Sequence, residues 1–113
     1  MNGRTQALAI DKTVKIAVAD RDSIQGHPCC VWCGKPAPTD YELAFSNAHY
    51  ISRAQGGLGI EENILTLCPE CHRAFDQSIQ RRKMRAFFKH YLSTRYFGWT
   101  EENLIYRKEF CND

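Results

Sequence analysis

The clearest hydrophobic pattern in the chain lies near its C-terminus, where Met84, Phe87, Phe88, Tyr91 and Leu92 recur at i, i+3, i+4, i+7 and i+8. That spacing predicts an amphipathic helix over about residues 78–97, with a basic opposite face. A second helix is expected in PECHRAFDQSI, where Pro69 occupies a favourable first helical position. The segment DKTVKIAVADRD, with Asp11 as N-cap and apolar Val14, Ala17 and Val18, predicts a short helix over about 11–22, although Val and Ile also suit a strand. In ELAFSNAHYIS, residues 42–52, strand-forming residues flank Ser46 and Asn47, which predicts a β-hairpin or bent ribbon with His49 on its second strand.

Punctuation fills the rest. CCVWCGKPAPTD carries Gly34, Pro36 and Pro38 and predicts a turn-rich knuckle. RAQGGLGIEEN predicts a loop whose glycines can adopt conformations other residues resist. Trp99-Thr100-Glu101-Glu102 resembles a further helix start, with Thr100 as N-cap and acids in the first turn; this C-terminal stretch suits packing over the core or dimerisation. The sum is an α+β chain without internal repeats.

At 113 residues, one domain spanning 1–113 is expected, with a core small enough for a metal clip to matter. Apolar residues at 43% and charged residues at 25% fit an ordinary globular protein. No apolar run reaches membrane-spanning length and MNGRTQALAI lacks a signal-like apolar core, so no membrane partner and a cytoplasmic location are expected. A net charge of +2 does not by itself identify a nucleic-acid binder, which leaves local charge clustering to decide.

Six cysteines in such a chain point to metal ligation rather than disulfides. Cys30-x-x-Cys33 and Cys68-x-x-Cys71 place two pairs of thiolates on tight turns, enough for a tetrahedral structural Zn²⁺ with no open position. The 34 intervening residues make that zinc a clamp at the base of an inserted unit. Cys29 competes with Cys30 but lacks its spacing to Cys33, and Cys111 is expected as a free thiol.

The inserted unit reads AHYISRAQGGLGIEENILTLCPECHRAFD, with the pattern His49-x13-Asn63-x8-His72, a Gly56-Gly57 loop and an L-C-x-x-C-H ending. Over roughly residues 28–77 it resembles the HNH endonuclease family, and its order is similar to small phage-type members. The resemblance implies a ββα-metal core (the domain core at about 28–77) with a four-cysteine zinc knuckle and flanking helices, and a catalytic set of His49, Asn63 and His72. An imidazole suits the general base of phosphodiester hydrolysis because its pKa lies near working pH, and His49 is assigned that role. His72 and Asp76 share a helix face at i, i+4 and could hold a catalytic divalent ion, Mg²⁺ or Mn²⁺. Asn63, by the resemblance, hydrogen-bonds the loop backbone and holds His49.

Alternatives stand beside these readings. His72 could replace Cys71 on the zinc, Asp76 could be a surface acid, and Asn63 could end a turn; His27 and His90 have no matching context. Many family members carry a metal ligand immediately before the base, where this chain has Ala48, so the ion would have fewer protein ligands and a weakened enzyme stays open. Arg53 and Arg73 are placed to touch the scissile phosphate, and Arg81, Arg82, Arg85 and Lys89 to track the backbone of DNA without reading bases. The functional expectation is a weakly sequence-specific DNA endonuclease, in the host cytoplasm if phage-encoded. The alternatives are a non-catalytic zinc-stabilised nucleic-acid-binding module, or an accessory subunit of a phage DNA-processing assembly. A homodimer or larger assembly fits either.

Overall fold

The chain's computed structural model describes residues 3–38 and 45–107. Its centre is the run Ile64–Leu67 (β4), all four residues of which are buried. A strand hidden on both faces needs a partner and two covering layers. Ser46–His49 (β3) supplies the partner, antiparallel, with Ser46 opposite Leu67 and His49 opposite Ile64. The chain leaves β4 through Cys68 and enters Pro69–Gln77 (α3), where Pro69 opens the helix. Strand, loop, strand and helix thus form a ββα unit, and the expected α+β architecture is the one observed.

Arg81–Ser93 (α4) packs across α3, its Phe88 ring edge-on to Phe75 with centroids 5.1 Å apart. Met84, Phe88 and Leu92 are fully buried, whereas Phe87 is 43% exposed. The buried stripe is therefore narrower than the five-residue pattern suggested, and Phe87 sits at its margin against Trp32 of the knuckle at 5.5 Å. The helix is also shorter than the 78–97 expected. Ser78 caps α3 through its N–H to Ala74, and its hydroxyl accepts from the Gln80 N–H, so residues 78–80 form a corner.

On the other side of β4 lies Lys12–Arg21 (α2), close to its expected bounds, with Val18 fully buried. Asp11 stands at its N-cap as expected, its carbonyl accepting the Lys15 N–H at 3.0 Å, but its carboxylate makes no cap bond and takes the Thr13 hydroxyl at 2.6 Å. A polar knot fastens α2 to the sheet and to α4. Asp22 accepts from Arg21, from the Thr66 N–H at 3.0 Å and from the Tyr91 hydroxyl at 2.6 Å. Arg21 in turn donates to the carbonyls of Glu61 and Ile64. Such a buried pair persists because nearly every lone pair and proton is used.

Three elements differ from expectation. Ser46 and Asn47 are continuous strand rather than a turn, because the Ser46 hydroxyl bonds Leu67 across the ladder at 3.1 Å and the paired run Ile64–Leu67 sets the register. His49 consequently ends the first strand of the hairpin, not the second; residues 42–44 of the expected hairpin lie outside the described residues. A small hairpin, Ser23–Ile24 (β1) with His27–Pro28 (β2), turns on Gln25 and Gly26, both with positive φ as a two-residue turn requires. Finally, Gly3–Leu8 (α1) is a helix that no apolar periodicity announced.

The C-terminal stretch packs over the core of its own chain. Thr100 precedes a 3-10 turn, Glu101–Leu104, without capping it through its side chain. Leu104 is buried, the Trp99 indole donates to the Glu62 carbonyl at 2.9 Å, and the Tyr106 N–H donates to the Gly56 carbonyl at 2.7 Å.

Candidate active site

Cys30 and Cys33 lie on a knuckle closed by Gly34 N–H to Cys30 and Cys30 N–H to Lys35, both at 2.9 Å, with Gly34 at φ 80 where a side chain would be strained. Cys68 follows β4 as the N-cap of α3, and Cys71 stands in the first turn of that helix. The Val31 N–H bonds Thr66 at 2.9 Å, bringing knuckle and strand together. As a result the four Sγ atoms lie within 4.8 Å of one another, and Cys33 and Cys68 are 3.8 Å apart. Sulfurs about 2.3 Å from a tetrahedral zinc are separated by about 3.8 Å, so the cluster has the dimensions for a structural Zn²⁺. Burial alone would raise the Cys30 thiol, but the backbone amides of Cys33, Cys68 and Trp32 bring it below its ordinary value. Cys29 stands apart, its thiol 3.3 Å from the His27 carbonyl. Cys111 lies outside the described residues.

The two histidines of the inserted unit are held in opposite ways. His49 Nε2 lies 2.9 Å from the Leu8 carbonyl, which can only accept, so Nε2 carries the proton and Nδ1 is bare. His72 Nδ1 lies 2.7 Å from Ser46 Oγ. The same hydroxyl lies 3.1 Å from the Leu67 carbonyl, so Nδ1 is the His72 nitrogen engaged within the fold and Nε2 is the one left over. That nitrogen is 3.7 Å from Asp76 Oδ2, and both side chains are partly exposed. Burial is the main cause holding His49 below its ordinary pKa of 6.5; the Leu8 carbonyl opposes it, and the charges of Arg53 and His72 add to it.

Asn63 is wholly buried. Its Oδ1 accepts from the Ile51 N–H at 2.8 Å, and its Nδ2 donates to the carbonyls of Ile51 at 3.1 Å and Leu58 at 2.8 Å. The loop closes so tightly that a Cβ on Gly57 would stand 1.7 Å from the Ile51 oxygen. Tyr50, next to His49, is anchored from its other end, its hydroxyl donating to Glu101.

Ala48 is 1% exposed and part of the hydrophobic core. Among the described residues, the four cysteines are the one group of three or more His, Cys, Asp or Glu side chains close enough to share an ion. An ion at His72 and Asp76 would therefore draw on two protein donors, an arrangement that suits a hard cation retaining several waters. Arg53 and Arg73 are exposed, as are Arg82 and Lys89. Arg81 is laid over Phe75 with its guanidinium 5.3 Å from the ring centre, and Arg85 lies over Tyr50 at 4.9 Å and pairs with Glu101 at 3.4 Å. Half of the basic set on α4 is thus engaged within the fold. His27 and His90 are exposed. Ser46 and the Leu8 carbonyl were not legible as site groups: a serine in a strand is ordinary, and a backbone oxygen has no sequence signature.

Residues 30–76 match the family model described as HNH endonuclease. The match covers the cysteine pairs, both histidines, Asn63 and Asp76, and it supports a nuclease-type function in general. No curated protein matches the chain closely enough to count as a relative. Among the described residues, no helix is long and apolar enough to cross a membrane.

Proposed function

We propose that the protein is a metal-dependent endonuclease that hydrolyses phosphodiester bonds of DNA, with His49 as general base and little sequence preference. The observation that carries this reading is the pair of imidazoles each held by a different nitrogen: His49 by Nε2, which leaves Nδ1 to accept a proton, and His72 by Nδ1, which leaves Nε2 beside Asp76. A proton acceptor and a metal ligand are what hydrolysis at phosphorus needs from side chains. His49 Nδ1 takes the proton of a water as its oxygen attacks phosphorus; the bond to the 3′ oxygen breaks, and that oxygen leaves to be protonated by solvent. Bound by His72 and Asp76, a divalent cation such as Mg²⁺ or Mn²⁺ would polarise the scissile phosphate and stabilise the leaving oxygen. The ends are a 5′-phosphate and a 3′-hydroxyl.

Asn63 acts through backbone: by bonding both the N–H and the carbonyl of Ile51 it fixes the chain two residues beyond His49. Arg53 and Arg73 are free to reach phosphate oxygens, with Arg82 and Lys89 as outlying contacts. A structural zinc held by Cys30, Cys33, Cys68 and Cys71 would fasten the base of the unit. Because burial keeps His49 neutral to below pH 6.5, its base form persists through neutral pH, and cleavage declines only as pH falls through that lowered value.

Supercoiled plasmid incubated with the protein and Mg²⁺ or Mn²⁺ tests the reading. Nicking or linearisation is expected, abolished by EDTA and by His49→Ala. Binding of DNA without cleavage under any divalent cation would instead identify a nucleic-acid-binding module.

A further inference from the structure

The HNH match begins at residue 30, yet the hydrogen bond on His49 comes from residue 8. The segment that delivers it is bound at several points. Leu8 is 2% exposed, the Gly59 N–H donates to the Ala7 carbonyl at 2.9 Å, and the Arg4 guanidinium reaches the Arg53 carbonyl at 3.4 Å. Gly59 makes the approach achievable: a Cβ there would stand 2.0 Å from the Ala9 oxygen and 3.0 Å from the Leu8 oxygen. Its φ lies outside the left-handed region, so a side chain is excluded by the neighbouring backbone and not by conformation.

We propose that residues 3–10 form a strap that completes the active site, with the Leu8 carbonyl as the group that orients His49 and Gly59 as the residue that admits it. The inference rests on the reading of His49 as general base. With Nε2–H committed to Leu8, the ring cannot rotate about its bond to the strand without losing a hydrogen bond in a half-buried position, and Nδ1 is held towards the attacking water. The strap is a positioning element. It touches neither substrate nor ion, and its contribution is to how often the base is aimed.

The test is Gly59→Ala in the full chain, read in two ways. Proton–nitrogen NMR of the histidine rings reports whether His49 keeps a solvent-protected Nε2–H, and plasmid cleavage reports kcat and KM separately. In the wild type a protected ring N–H is expected. In Gly59→Ala it should exchange with water and disappear, while kcat falls on the order of tenfold to a hundredfold, as misaimed catalytic groups do, with KM and zinc content unchanged. Leu8→Ala, which keeps the carbonyl but removes the buried anchor, should produce a smaller change in the same direction and serves if Gly59→Ala does not fold. A protected His49 N–H with wild-type kcat in both variants overturns the proposal. A protected N–H lost in the variants of a protein that never cleaves DNA would retain the strap and reject the nuclease reading, so the two failures are distinguishable.

Discussion

Two constellations flank β4, and they are finished to different degrees. At one end Cys30, Cys33, Cys68 and Cys71 gather their sulfurs within 4.8 Å, each facing the other three. Towards the other end stands His49, and His72 follows one residue after the last cysteine; each ring has one nitrogen tied down and the other bare. The cysteine cluster is closed, with all its donors directed inward, as a structural metal requires. The histidine pair is left half-satisfied by its surroundings, since a base or ligand with both nitrogens bonded within the protein has nothing left to offer. On the proposed function the same strand supports one site that holds and another that reacts, and perturbing each should then have separable effects.

The largest effect is expected from Cys68→Ser, or from stripping the metal with a strong chelator. Structural zinc contributes on the order of 10 kcal/mol to small domains, about as much as the whole stability of a chain this size. Circular dichroism should show loss of cooperative unfolding, with cleavage lost alongside it; a metal-free protein that stays folded would refute the structural role. His49→Ala should do the reverse, lowering cleavage by roughly 10²- to 10⁴-fold while zinc content and the unfolding midpoint stay near wild type. Ser46→Ala sharpens the contrast further. It removes the hydroxyl bonded to His72 Nδ1, and loss of such a supporting bond weakens metal affinity by about 10- to 100-fold. A titration of cleavage against Mn²⁺ should shift to higher concentration, with the maximal rate recovered at saturation. The smallest effect belongs to Arg82→Ala, which should leave stability and saturated rate alone and reduce the salt dependence of DNA binding by about one counterion.

The two constellations were also unequally legible in the sequence. The cysteine pairs are local signals, because two thiolates on one turn fix their own separation, and the run between them carried His49 and Asn63, with His72 directly after Cys71, at recognisable spacing. What held the histidines was not legible. The Leu8 carbonyl lies 41 residues from His49 and belongs to a six-residue helix without a periodic face. Ser46 looked like part of a turn, since serine beside asparagine commonly is, and only its pairing with Leu67 made it strand. The apolar pattern located α4 but overstated its length, because Ser78 and Gln80 commit their hydrogen bonds to a corner. Likewise the basic residues of α4 read as one face, while the aromatic rings of Phe75 and Tyr50 take Arg81 and Arg85 into the fold.

The central claim is that His49 removes the proton from the attacking water. Its most direct test is plasmid cleavage by wild type and His49→Ala in parallel, from about pH 5 to about pH 8, with imidazole added to the variant. Expected are a wild-type rate that falls with acid through a value below 6.5, a variant that lacks this limb, and partial rescue by imidazole. A variant that cleaves as fast as wild type, with the same acid limb, would contradict it.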